Sequence, residues 1–218
     1  MKHMNKWGVL ILSGMMLSLL AGCGDVAFEP TASGIYADKD GSVKSAEFES
    51  FDNSDFPEER YNADELTAFV EEAVIAYNTE QGAAAEARLP EKADEETTLP
   101  VSVEKLEVAE GKAELILAYE STTDYLTFNE ADDTITAMAI QTAPAAVGAG
   151  VSLDGLSNTK GEMVDATKAK TNEKYFVLTL TGTTTAVVNG KIAGVSGDVE
   201  IVDEHTVNIS GDAVVLFR

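Results

Sequence analysis

Cysteine is almost absent from this sequence: 218 residues contain one, Cys23. A single thiol forms no internal disulfide and excludes multi-cysteine zinc sites, iron–sulfur clusters and CxxC redox chemistry. Histidine is nearly as scarce, with His3 and His205 alone, and no HExxH pair exists for a catalytic zinc. Tryptophan occurs once, at Trp7. Basic residues are few, 15 against 38 acidic ones, for a formal charge of −23. Such a chain repels a phosphate backbone, so nucleic acid is excluded as a partner. Neither a Walker A loop nor GxGxxG is present, and Gly148-Ala149-Gly150 has no third glycine. Long apolar runs are limited to one, at the start. What remains, 44% hydrophobic and 24% charged residues, is the composition of a globular protein.

The one apolar run reads as an address. Lys2 and Lys6 form a positive segment, and residues 7–20 are apolar apart from Ser13, Gly14 and Ser18. Fourteen residues match the core of a signal peptide and fall short of the roughly 20 needed to span a membrane. The run ends in Leu20-Ala21-Gly22-Cys23, which resembles the lipobox of bacterial lipoprotein signal peptides at every position. The resemblance implies cleavage between Gly22 and Cys23 and a diacylglycerol (palmitate-type) thioether on Cys23. Two acyl chains suffice for stable anchoring, at about 0.8 kcal/mol per buried methylene. Processing removes Lys2 and Lys6 and takes the charge from −23 to −25. It also removes Trp7 and His3.

The sequence divides into a leader at 1–22, a lipidated tether at 23–32, and a single domain at 33–218 with a candidate sub-boundary within 141–172. The expected class is α+β: one or two helices on a largely antiparallel sheet, with a β-rich C-terminal part. Asp38-Lys39-Asp40-Gly41, between 33–37 and 42–51, reads as a hairpin turn. Residues 62–80 read as a helix, capped by Asn62 with Glu65 and stapled by Tyr61 and Leu66. Leu66, Phe69, Val70, Ala73 and Tyr77 form its apolar stripe. Strands at 101–108 and 113–119 form a second hairpin. A short helix at 122–130 is capped by Thr122 or Thr123, and 135–140 reads as a strand. Residues 141–172 read as irregular and mobile, although a loop that long warns of an unseen element. Beyond it, strands at 175–181, 184–188, 191–195, 199–202, 206–209 and 213–217 are expected. Asn189-Gly190 is then a two-residue hairpin turn. The Ser-Gly-Asp of 196–198 recurs at 210–212.

Other residues give this chain a resemblance to uncharacterised surface lipoproteins of Gram-positive bacteria. They are Lys39 to Val43, the segment around Asp64-Glu65-Leu66, Val103 to Val108, Asp124-Tyr125 with Phe128-Asn129, and Gly190-Lys191-Ile192. The resemblance implies an extracytoplasmic address and an α+β fold, and carries no activity.

Three chemistries remain to weigh. Asp38, Asp40, Ser42 and Glu47 are spaced like the later part of an EF-hand calcium loop, with Glu47 as the bidentate ligand. Position 1 falls on Tyr36, which is no ordinary ligand. Calcium is the one candidate cofactor, and a solvated hairpin turn is the alternative. His205, beside Asp203-Glu204, reads as a solvated turn histidine. An acidic pair acting as a hydrolase needs two carboxyls facing across a cleft, and 38 acidic residues do not single one out. The expected function is therefore that of a membrane-anchored lipoprotein, not an enzyme. It binds or contacts an envelope protein or wall component. The alternatives are an envelope hydrolase and a calcium-binding module.

Overall fold

The computed structural model describes residues 26–50, 63–89, 98–109 and 111–218. The class is α+β: helices pack on a nine-stranded sheet of order β3-β4-β2-β1-β6-β9-β7, with β5 on β6 and β8 on β9. β1 (Gly34–Ala37) and β2 (Val43–Ser50) form the expected hairpin. β3 (Val101–Ala109) and β4 (Lys112–Tyr119) form the second. A register shift between Val103 and Lys105 accounts for the imperfect alternation of β3. Every pairing is antiparallel except β1 against β6, which is parallel.

Helix α1 (Ala63–Glu80) occupies the expected span, and its buried face keeps part of the expected stripe. Tyr77 is buried and Val70 packs against the core, whereas Phe69 is 71% exposed and Ala73 is exposed; Val74 and Asn78 are buried in their stead. The face is turned so that Asn78 comes to the start of β3. There Val101 N donates to Asn78 Oδ1 (3.0 Å), and Asn78 Nδ2 donates to the carbonyls of Val101 and Glu86 (both 2.8 Å). The Asn62 cap and the Tyr61 staple lie outside the described residues. Helix α2 (Thr122–Phe128) is capped by Ser121 rather than by Thr122 or Thr123. Ser121 Oγ accepts from Asp124 N (3.1 Å) and donates to Asp124 Oδ2 (2.6 Å), which sets the cap one residue before the expected pair.

The C-terminal part departs most from expectation. Residues 176–188 form one strand, β6 (Phe176–Val188), and 206–217 form another, β9 (Thr206–Phe217). The two pair without interruption from Phe176↔Phe217 to Val187↔Thr206. Asn189-Gly190 is not a hairpin turn: it links β6 to β7 (Ile192–Val195), and β7 pairs with β9 instead. β8 (Val199–Ile201) also pairs with β9. A straight strand as long as β9 would hold its ends about 36 Å apart. Here residues on either side of it reach the same short segment. Ile192 N donates to Glu204 O and Lys191 N to Arg218 O (both 2.8 Å). The β6–β9 ladder is therefore bent back on itself.

Gly182 and Gly211 face each other midway along that ladder. There β6 changes partner, from β5 (Ile135–Thr142) to β1. Gly182 has φ +151°, and a Cβ on it would lie 2.2 Å from Thr134 O. Only glycine allows this approach of three backbones. Inside the bend, Leu178, Leu180, Ala186, Val188, Val207, Ile209, Val215 and Phe217 join Val43, Val74, Val101 and Tyr119 in the main core. Each large side chain so buried contributes about 1.5–3 kcal/mol.

Residues 141–172 are not merely loop. α3 (Ala143–Gly148), with Pro144 in its first turn, and a 3-10 turn at Ala169–Thr171 lie here. They place Ala143, Ala146, Leu153, Leu156, Ala166 and Ala169 against Val177 and Leu216, on the reverse face of β6 and β9. The two clusters thus share strands. The helical signal was hidden because the buried side chains of α3 are alanines, which give almost no hydrophobic contrast.

Candidate functional site

Three connections meet at one end of the sheet: the β1–β2 turn, the β6–β7 link and the β8–β9 turn. Asp-Gly geometry shapes the first. Gly41 has φ +97°, Asp38 N donates to Ser42 O (3.0 Å), and Asp40 Oδ1 accepts from Ser42 N (2.9 Å) and Oγ (2.7 Å). In the second, Asn189 is buried. Its backbone N donates to Ala37 O (2.9 Å), and its Nδ2 donates to Asp38 Oδ1 (2.8 Å). Its Oδ1 accepts from Val26 N (3.1 Å). In the third, Asp203 Oδ1 accepts from His205 N (2.7 Å) and Thr206 N (2.8 Å).

Val26 is held from both sides. Tyr36 Oη donates to its carbonyl (3.0 Å), and the Phe28 ring lies 5.4 Å from that of Tyr36. The described part of the expected tether, from Val26 on, is therefore laid against the outer face of β1. Nothing in residues 24–32 announces this, because the partners are 10 and 163 positions away.

His205 is not a solvated turn residue; its side chain is 14% exposed. Nδ1 lies 2.6 Å from Gly190 O. A carbonyl only accepts, so Nδ1 carries the proton. Nε2 lies 3.4 Å from Glu204 Oε1, and Glu204 Oε2 accepts from Lys191 Nζ (2.7 Å). That bond from Lys191 leads in holding the Glu204 carboxyl below its usual range. A hydrolytic relay needs the reverse wiring, with a carboxylate on Nδ1–H and a nucleophile at Nε2. The ring here ties the β8–β9 turn to the β6–β7 link.

The four residues of the candidate calcium loop do not converge. Asp38 and Asp40 use oxygens on Asn189, Lys39 N and Ser42. Glu47 lies four residues into β2 from Val43, about 13 Å along the strand. Among the described residues, no group of three or more acidic, histidine or cysteine side chains is placed to hold a metal ion.

Glu47 instead belongs with the α2 end of the core. Its carboxyl is held above the usual range, first by desolvation and then by the charges of Asp132 and Glu49. Asp132 is held below its range by hydrogen bonds from Thr134. Folding therefore favours the proton on Glu47 and disfavours it on Asp132, as in an acid and its partner base. Both residues are exposed, however, and neither lines the hollow over β8 and β9. Behind them, Tyr119, Tyr125 and Phe128 pack edge to face, with centroids 5.0 and 6.0 Å from Tyr119. Tyr119 Oη is shared by Ser45 and Asn129 (3.2 Å each). These aromatics are core, not a ligand platform.

A shallow hollow of about 360 Å³ lies over β8 and β9, lined by Gly197, Asp198, Val199, Glu200, Asn208 and Ser210. Beside it, Thr181 Oγ1 donates to Asp212 and Thr185 Oγ1 to Asn208, giving a polar outer surface at the bend. Cys23 and Gly22 lie outside the described residues. No helix among the described residues is long and apolar enough to cross a membrane. Comparison of this chain with protein-family models, curated proteins and solved structures finds no match.

Proposed function

We propose that this chain is a lipoprotein, anchored through Cys23 on the outer side of a cell membrane, whose domain works by binding rather than by catalysis. One observation carries the reading: the only cysteine falls at the required place after Leu20-Ala21-Gly22, behind a basic and then apolar leader. Two features of the domain support the second half. Its groups best suited to chemistry are engaged in holding turns together, as with His205 on Gly190 and Asp38 on Asn189. Its acidic side chains are largely at the surface, which suits a solvated body bearing −25 after processing. The partner is an envelope protein or wall component.

Replacing Cys23 by serine tests the anchor. Cells expressing the natural chain and supplied with radiolabelled palmitate should label it, and Cys23→Ser should abolish both label and processing. Continued labelling of the serine variant refutes the anchor.

A further inference from the structure

The anchor reading and the hydrogen bonds at Val26 together carry a consequence for how the domain stands on its membrane. Three peptide bonds separate Cys23 from Val26, so their Cα atoms are at most about 11 Å apart, whatever path the chain takes. Val26 does not swing on a tether: its N–H is held by Asn189 and its carbonyl by Tyr36. From Val26 the chain runs down the outer face of β1, past Phe28 on Tyr36, to Ser33 Oγ, which accepts from Phe48 N. Its upstream end thus lies at the end of the sheet formed by Asp38, Asn189 and the Asn189-Gly190 link.

We infer that this end of the sheet is the membrane-facing surface, and that the domain is held on the bilayer in one orientation instead of swinging freely. The inference rests on the lipid anchor proposed above. Charge does not set this orientation, since Lys39 and Lys191 stand among Asp38, Asp40, Asp203 and Glu204, and Lys191 is bonded to Glu204; the short link from Val26 to the anchor does. The opposite end is far off. Lys112 pairs with Ser50 seven residues down the ladder from the Val43↔Tyr119 pair, about 23 Å away. The polar surface at the Gly182–Gly211 bend is then presented away from the bilayer, towards the wall.

The test uses the full lipidated protein in vesicles rich in phosphatidylserine. Acylation blocks Cys23, so a new cysteine is the only thiol. Lys39→Cys and Lys191→Cys report the pole, and Lys112→Cys reports the far end with the same loss of charge. The probe is a membrane-impermeant, singly anionic maleimide. Each rate is divided by that of the same variant made as residues 23–218 with Cys23→Ser, which lacks the apolar run and is free in solution. The membrane's surface potential depletes such a probe roughly sevenfold at the surface and about twofold one Debye length, about 8 Å, away. The pole thiols should therefore slow two- to sevenfold, and the Lys112→Cys thiol by only about a tenth. A flexible insert of about 20 Gly/Ser residues before Val26, with a mean reach of about 25 Å, should restore the pole rates. Lipid-bearing protein whose pole and far thiols slow equally, or not at all, overturns the orientation. Protein whose mass shows no lipid refutes the anchor itself, and the orientation with it.

Discussion

Asn78→Ala tests the account of how α1 is fastened to the sheet. Asn78 has no exposed surface and makes three side-chain hydrogen bonds to backbone, one from Val101 N and two to the carbonyls of Val101 and Glu86. Alanine leaves one N–H and two carbonyls without these partners where water does not reach easily. An unpaired buried group costs about 1–3 kcal/mol, the carbonyls towards the lower end because each keeps a second lone pair. The expected loss is about 3–5 kcal/mol, a large part of the 5–15 kcal/mol of an ordinary domain. At about 2–4 °C per kcal/mol, the melting temperature should fall by roughly 10 °C. Urea unfolding of residues 23–218, followed by circular dichroism, measures it; tryptophan fluorescence cannot serve, because the one tryptophan, Trp7, lies outside that span. Thr79→Ala, next on the helix and exposed, should stay within about 0.5 kcal/mol. A loss under about 1 kcal/mol for Asn78→Ala, with an unchanged denaturant slope, would refute the reasoning.

Two further perturbations follow from the ladder and the aromatic core. Gly182→Ala places a methyl 2.2 Å from Thr134 O and 2.8 Å from Ile135 Cα, both backbone atoms that cannot move alone, and should cost at least about 2 kcal/mol. Gly211→Ala, directly opposite, meets nothing within 4 Å and should be nearly neutral; equal effects in thermal melts would contradict the bend. Burial, followed by the bond to Asp124, pushes the Tyr77 hydroxyl up to about 12, and burial also raises Tyr119 and Tyr125. The folded state requires these phenols neutral. Their contribution is complete below the unfolded value near 10 and is lost as pH rises through the folded value, so stability should fall between pH 10 and about 12. Titration of tyrosinate absorbance should show a late group that ionises as the fold is lost; all tyrosines ionising together near pH 10 in a folded protein would count against it.

Much of the N-terminal half is legible in the sequence, because its elements are set by neighbours in the chain. Asp-Gly at 40–41 makes a turn wherever it is flanked by strand formers, and the 3.6-residue period of 63–80 makes a helix. The period placed Val70 and Tyr77 on the core but not the rotation that exposes Phe69 and buries Asn78, since that depends on Asn78 finding Val101. The candidate site was less legible. Asp38 was singled out as a calcium ligand, and its oxygen instead receives Asn189, 151 positions away. Glu47 was assigned to the same loop and lies midway along β2, within reach of the charge of Asp132.

The two Ser-Gly-Asp segments separate what is local from what is not. The sequence alone determined the α+β class and the strand character of much of residues 176–217. It could not distinguish Ser196-Gly197-Asp198, which turns the chain between β7 and β8, from Ser210-Gly211-Asp212, which continues β9 without a break in pairing. The second copy faces Thr183, Gly182 and Thr181 across the ladder, and that line of partners outweighs the turn preference of the same three residues. Asn189-Gly190 obeys the same rule: with β9 lying between β6 and β7, a sequence suited to a hairpin becomes a link. A turn preference amounts to a few tenths of a kcal/mol up to about 1, whereas a ladder of a dozen residue pairs with a core on one face sums many such terms.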